Sequence, residues 1–193
     1  MNRTVSNLVL GVALVAVVAS CHEGETIGLP SWISGVTPSA SLPCDNAVVD
    51  LSAAPGVDPW DVAGNPDLQI IGEVAALRAD GWNQPAVSAS HALDSEHPGD
   101  PAFLLAPKTP LFVRRGAAFE LRIADGYRDR AAVRFGSSGP ASALAVGPCD
   151  SEREWILFTG RFLLTEPECL TLEVVLQDGR IEPFRIGIGI PCS

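Results

Sequence analysis

Positive charge is scarce in this 193-residue chain: 13 Lys and Arg stand against 23 Asp and Glu, a formal net charge of −10, and Lys108 is its one lysine. Binding a phosphate backbone takes a concentrated basic surface, so the balance argues against nucleic acid as a partner. Histidine is almost as rare. His22, His91 and His97 all lie in polar stretches, where an imidazole reads as solvated rather than as a general base. The single methionine is Met1, so a blue-copper site lacks its usual axial ligand, and no histidine stands near a C-terminal cysteine. No Cys-x-x-Cys pair supplies the spacing of a structural zinc site. Gly136-Ser137-Ser138-Gly139 is not the G-x-S-x-G of a nucleophile elbow and sits between β segments, where it reads as a flexible turn. No glycine-rich loop follows a strand and opens a helix, as phosphate cradles require. A glycosidase needs two carboxylates across a cleft, but with 23 acids some pair can always be nominated. No apolar run reaches the roughly 20 residues that span a bilayer.

Hydrophobic residues make up 47% of the chain, too many for a disordered polymer, and the length favours one folded domain with tails. The N-terminus has a basic start, Met1-Asn2-Arg3, an apolar core from Leu8 to Ala19, and small residues before Cys21. That is the layout of a secretory signal. Within it, Val18-Ala19-Ser20-Cys21 resembles the lipobox of bacterial lipoproteins. The resemblance implies a diacylglyceryl thioether on Cys21, removal of residues 1–20, and a protein anchored by lipid on the extracytoplasmic side of the cell envelope. Losing Arg3 leaves 12 basic residues against 23 acids, a net −11, which anionic membrane surfaces repel. An acyl anchor therefore serves such a chain better than electrostatic adsorption. The plain alternative is an ordinary signal peptide cut nearby, with Cys21 an unmodified thiol.

With Cys21 set aside, Cys44, Cys149, Cys169 and Cys192 remain. An even count in an exported chain points to two disulfides. Three pairings are open, and reduced buried cysteines are the alternative.

Residues 21–66 read as a tether punctuated by Pro30, Pro38, Pro43, Pro55, Pro59 and Pro66. Trp32 and Trp60 within it imply that parts pack onto the domain, and Cys44 would pin it there if bridged. Residues 67–193 form the expected domain. Asn65-Pro66-Asp67 has the chemistry of a helix start, and Ile70, Ile71, Val74 and Leu77 recur at helical spacing, which predicts one short helix near 67–79. The rival is a hairpin turning at Asp80-Gly81. Residues 88–101 form a polar, acidic loop. From 103 onward the pattern is β, with period-two alternation at Phe119, Leu121 and Ile123 and again at Leu170, Leu172, Val174 and Leu176. About eight short strands separated by Gly/Pro turns predict a mainly β fold, an antiparallel Ig-like β-sandwich, with a partly open barrel as the second choice.

Asp178-Gly179 predicts a type I′ turn, after which Phe184, Ile186, Ile188 and Ile190 alternate back. Pro183 marks an edge or a bulge, and Gly187 and Gly189 imply close packing on their face. Reading 143–148, 155–164, 169–177 and 181–190 as a four-strand meander places Cys169 opposite residue 188 and near Cys192. That predicts Cys169–Cys192 and leaves Cys44–Cys149 to fasten the tether.

The run Gly147-Pro148-Cys149, Trp155, Phe158-Thr159-Gly160, Cys169-Leu170 and Ile186 to Cys192 is similar to uncharacterised secreted β-domain proteins of actinomycetes. The resemblance covers 147–192 and implies an exported, disulfide-bonded β-domain, with no activity to carry over. Asp94, Glu96 and Asp100 crowd one loop, and Asp125 and Asp129 another. Such hard oxygen ligands suit Ca²⁺, though acidic loops are usually only solvated. Trp32, Trp60, Trp82 and Tyr127 are candidates for an aromatic binding face, whereas Trp155 opens an apolar strand and reads as core.

These features lead to a lipid-anchored envelope protein that binds a protein or wall polymer, or serves structurally, with no catalytic residue and no cofactor assigned. An envelope hydrolase without a recognisable motif and a calcium-dependent binder are the alternatives.

Overall fold

Phe119, Leu121 and Ile123 are buried while Glu120 and Arg122 between them are only partly covered, and the strand Glu168–Leu176 repeats the alternation. Such strands bury one face, and a second sheet must cover it. The computed structural model, which describes residues 36–48, 58, 60–78 and 108–192, shows how. Its strands are β1 (Ala40–Leu42), β2 (Leu68–Ile71), β3 (Ala75–Arg78), β4 (Lys108–Arg114), β5 (Phe119–Ile123), β6 (Ala131–Phe135), β7 (Ala143–Val146), β8 (Trp155–Leu164), β9 (Glu168–Leu176) and β10 (Ile181–Ile188). They form two five-stranded sheets, ordered β1-β7-β5-β9-β10 and β2-β3-β4-β8-β6, and the chain is a β-sandwich. The β1–β7 pair is parallel, and every other pair of these strands is antiparallel.

Between the sheets lies one core. Leu111, Val113, Ile156, Phe158, Phe162 and Leu164 meet Leu121, Ile123, Leu170, Leu172, Val174, Phe184 and Ile186 there. Phe135 and Phe162 contact edge to face, with ring centroids 5.8 Å apart. A second apolar layer covers the outside of the β2–β6 sheet. Val62, Ala76, Phe112, Trp155 and Leu157 are buried in it, with Val48, Trp60 and Leu68 packed alongside. Strands β4 and β8 are therefore apolar on both faces where this layer crosses them, as strands covered on both sides are.

No α-helix occurs among the described residues. The helix predicted near 67–79 is instead the β2–β3 hairpin, turning at Gly72-Glu73. Both residues have positive φ, 55° and 61°, and Val74 N–H donates to the Ile71 carbonyl, which is the backbone of a type I′ turn. Apolar residues at 70, 71, 74 and 77 satisfy helical spacing and also fit the hairpin, where Ile71 and Leu77 are buried and Ile70 is exposed. The left-handed pair at 72–73 breaks the tie. The rival turn at Asp80-Gly81 lies outside the described residues.

The predicted four-strand meander also fails. β8 leaves the sheet of β7 and β9 and pairs with β4 and β6 in the other layer, while β5 sits between β7 and β9. Only the β9–β10 hairpin of that arrangement exists. Its loop has three residues rather than two. Gly179 N–H donates to the Leu176 carbonyl and Leu176 N–H to that of Arg180, with Gly179 alone at positive φ, 85°. This is the bulged alternative to a type I′ turn. One extra residue shifts the register by one, so Cys169 stands opposite Gly187 rather than residue 188. β10 is an edge strand, which accommodates Pro183.

Two disulfides are present, Cys44–Cys149 and Cys169–Cys192, with Cα–Cα distances of 5.5 and 5.0 Å. They mark an oxidising, extracytoplasmic environment. The first fastens the segment after β1 to the loop after β7. Beyond it Val48 N–H donates to the Leu157 carbonyl and Trp60 joins the outer layer. Part of the stretch expected as tether is thus built into the sandwich: β1 extends one sheet, and Val48, Trp60 and Val62 pack on the other. The second disulfide needs the chain to fold back tightly after β10. A Cβ on Gly187 would collide with the Ile190 carbonyl, and one on Gly189, where φ is 75°, would crowd Pro167.

Two stability results follow. The disulfides span 105 and 23 residues, and chain entropy makes the longer loop the more stabilising, roughly 4–5 against 3 kcal/mol. Denaturant unfolding should show Cys44→Ala/Cys149→Ala losing more than Cys169→Ala/Cys192→Ala. At Gly160 an added methyl would strike the Phe135 ring and the Arg134 carbonyl, so Gly160→Ala should lose roughly 1–3 kcal/mol by overpacking.

Candidate functional site

The outer apolar layer does not cover the whole β2–β6 sheet. Toward β6 it gives way to an open groove of about 770 Å³ floored by β4 and β8 and flanked by Asn65 and Asp67. Strand alternation decides what faces it. On β4, Phe112, Pro110 and Lys108 point outward; on β8, Leu157, Thr159 and Arg161 do, and on β6, Arg134 does. The apolar members lie toward one end and the cations toward the other. Arg78 at the end of β3 adds a fourth cation. Four of the chain's 13 basic residues, including its one lysine, thus line one groove in a protein of net charge −10.

Register sharpens the arrangement. Lys108 stands directly across from Arg161, and Arg161 directly across from Arg134. Three cations therefore form a row across three adjacent strands, roughly 10 Å from first to last at the usual strand spacing. The next outward residues along the strands are Pro110, Thr159, Leu163 and Ala132, and Arg134 Nε donates to the Ser138 carbonyl at 3.3 Å. The groove's one carboxylate, Asp67, accepts a hydrogen bond from Arg78 at 2.8 Å. Thr109, 3% exposed, alternates with Lys108 and Pro110 and so turns its side chain toward the core, where its buried hydroxyl has no hydrogen-bond partner among the described residues. Gly136 and Gly160 contribute backbone without side chains. Arg78 ends β3 and Lys108 begins β4, and both line the groove.

Two cations away from the groove are paired with glutamates. Arg122 faces Glu173 across the strands and donates from Nε to its Oε2 at 2.6 Å, and this bond, with the Glu173 charge, raises the guanidinium pKa. Arg130 forms a two-pronged pair with Glu168, at 2.7 and 2.8 Å, and its pKa is likewise raised, first by that hydrogen bond. Both are structural clamps: the second joins the turn before β6 to the start of β9.

Other residues singled out in the sequence have structural roles or lie outside the description. Cys21, Trp32, Trp82, the three histidines and the calcium candidates Asp94, Glu96 and Asp100 belong to residues not described. Asp125 pairs with Arg128 and Asp129 with Arg130. Ser138 Oγ donates to the Phe135 carbonyl and accepts from its N–H, while Ser137 Oγ accepts from Asn46, so this glycine-serine stretch is a turn. Trp60 is half-buried under the Arg153 guanidinium, 4.1 Å from its ring centroid. Tyr127 packs against the core with Arg130 over its ring. Trp155 is buried, but in the outer layer rather than between the sheets.

No family model matches the chain, and neither the curated proteins nor the solved structures hold a significant match.

At the β9–β10 loop, Arg180 donates to Asp178 through side chain and backbone and holds its carboxyl below the ordinary 3.8. A depressed folded-state pKa favours the fold above the ordinary value and ceases to as pH falls through the lowered one. A ¹³C titration should place the Asp178 midpoint below 3.8, and Arg180→Gln should return it upward.

Proposed function

We propose that the protein is a lipid-anchored, extracytoplasmic binding module of the bacterial cell envelope. The anchor reading is carried by cysteine pairing: four of five cysteines are joined to one another in two disulfides, which leaves Cys21, in the lipobox-like Val18-Ala19-Ser20-Cys21, as the odd thiol. An unpaired cysteine in an oxidising compartment invites intermolecular crosslinking, and thioether formation with a diacylglyceryl group removes that hazard. Among the described residues no helix is long and apolar enough to cross a membrane. The binding reading draws on the groove. Its lining offers cations, a hydroxyl and apolar surface on a sheet held rigid from both sides. Preorganised donors on a rigid scaffold suit ligand capture.

The full chain, expressed in a bacterial host and fed labelled palmitate, should take up label, partition into detergent and accumulate as a precursor under globomycin. Cys21→Ala should do none of these. An unlabelled wild-type chain that still begins at Met1 would remove the anchor.

A further inference from the structure

We propose that Arg153, stacked on Trp60, and Arg115, held on the same loop, form a docking point for a peptide carboxylate, separate from the groove. The loop between β7 and β8 is the frame. Cys44–Cys149 crosslinks its start, and Gly116 N–H donates to the Cys149 carbonyl at 2.9 Å. Near its end Arg115 N–H donates to the Glu154 carbonyl at 2.8 Å. Ser151 sits between them. Its carbonyl accepts from Arg115 Nη1 at 3.1 Å, and its Oγ accepts from the Arg153 backbone N–H at 3.0 Å. The Arg153 guanidinium lies over the Trp60 ring, 4.1 Å from the centroid. Both arginines are exposed. Their guanidiniums are positioned by uncharged groups, a carbonyl and an indole, and neither makes an ion pair among the described residues.

Other arginines of this chain are used differently. Arg114, Arg122, Arg128, Arg130 and Arg180 each hold an aspartate or glutamate. Acids stand beside Arg153 in the sequence as well, yet Glu154 pairs with Arg114 at 3.1 Å, and Asp150 Oδ1 accepts from the Ser151 N–H. A guanidinium seated on an aromatic ring has already lost much of its side-chain freedom, so a new bond requires little further ordering. All five of its N–H donors lie in its plane, so a ring over its face leaves them for an acceptor at its edge. Tryptophan and arginine are also the residues in which interface binding energy concentrates.

The ligand chemistry follows from the fork and the local charge. The two oxygens of a carboxylate lie in one plane and fit the fork of one guanidinium, as Glu168 fits Arg130 in this chain. Glu152 is exposed next to Arg153, and the chain carries a net charge of −10. Both oppose any anion, and oppose a phosphate dianion about twice as strongly as a single carboxylate. The half-buried indole offers apolar contact to the chain that carries the carboxylate. The partner is therefore a peptide that brings one carboxylate, on a side chain or at its C-terminus, and not a polyanion.

The test follows the Nε–H resonances of Arg115 and Arg153 by ¹⁵N NMR, in the full chain in detergent and in the full Cys21→Ala chain. The two chains should agree, so this site and the anchor fail separately. The probes are a tripeptide with one aspartate and blocked ends, a neutral tripeptide with a free C-terminal carboxylate, the same neutral peptide fully blocked, and inorganic phosphate at equal ionic strength. A carboxylate probe should shift both resonances and saturate, and the blocked neutral peptide should not. Saturation by the aspartate peptide assigns a side chain, and saturation by the free C-terminus alone assigns a chain end. Read on Arg115, Arg153→Gln should weaken binding roughly tenfold, the size of one charge-assisted hydrogen bond. Arg153→Lys should weaken it comparably, because an ammonium keeps the charge and loses the fork. Glu152→Gln should tighten it about twofold by removing one like charge. Arg180→Gln, on the β9–β10 loop of the other sheet, should leave it unchanged. Trp60→Leu should weaken it too, and if that variant folds poorly the exposed Arg153 and Glu152 variants decide. No saturable shift with either carboxylate probe, tighter binding of phosphate, full retention in Arg153→Lys, weaker binding in Glu152→Gln, or an equal loss in Arg180→Gln would overturn the proposal.

Discussion

The constraint on which the structure depends is that one sheet must be buried on both faces. Strands β4 and β8 carry apolar residues at consecutive positions, Leu111-Phe112-Val113 and Trp155-Ile156-Leu157-Phe158. A two-layer sandwich covers only alternate members of such runs. The remainder, Phe112, Trp155 and Leu157, would face water were it not for Val48, Trp60 and Val62. At about 25 cal/mol per Å² of apolar surface removed from water, hiding three side chains of this size stabilises the domain by several kcal/mol. The segment after β1 is thus a third layer, and the Cys44–Cys149 bond holds its start where it must cross from one sheet to the other.

Where this third layer stops, the groove begins. The apolar part of the β4–β8 outer face is covered by residues of the N-terminal segment, and the cationic part at Lys108 and Arg161 is not buried by that layer. The same alternation that sends Leu111 and Phe158 into the core sends Lys108 and Arg161 outward, so the site needs no loop of special conformation to build it. Rigidity comes from the sheet, and chemical character from a few outward positions.

Strand-level organisation was legible in the sequence, because period-two alternation is local: Phe119 to Ile123 and Leu170 to Leu176 could be assigned from their own side chains. The Gly187 and Gly189 close approach was legible for the same reason, since glycine at alternate strand positions has few other uses. What alternation cannot supply is which strand lies beside which. β8 reads as the neighbour of β7 and β9 in the chain but pairs with β4 and β6, and only that exchange brings Lys108, Arg161 and Arg134 into one row. Each of the three looks like an ordinary solvated strand residue until the register is known. The 67–79 segment failed differently: its apolar spacing fits two structures, and the deciding feature, left-handed backbone at Gly72 and Glu73, shows in only one of the two residues' identities. The Cys169–Cys192 pairing survives its one-residue register error because a disulfide tolerates a range of Cα separations.

The two disulfides also set the route by which the domain carries mechanical load. Tension entering at Cys44 passes through sulfur to Cys149 and bypasses everything between, including β2 to β7. From Cys169 it passes to Cys192 and bypasses the body of β9 and all of β10. The only stretch of backbone that must transmit force from one crosslink to the other is the one containing β8. It is a strand flanked on both sides by hydrogen-bonded neighbours and, at its Trp155–Phe158 end, covered on both faces, so a pull along the chain meets the fold at a braced member.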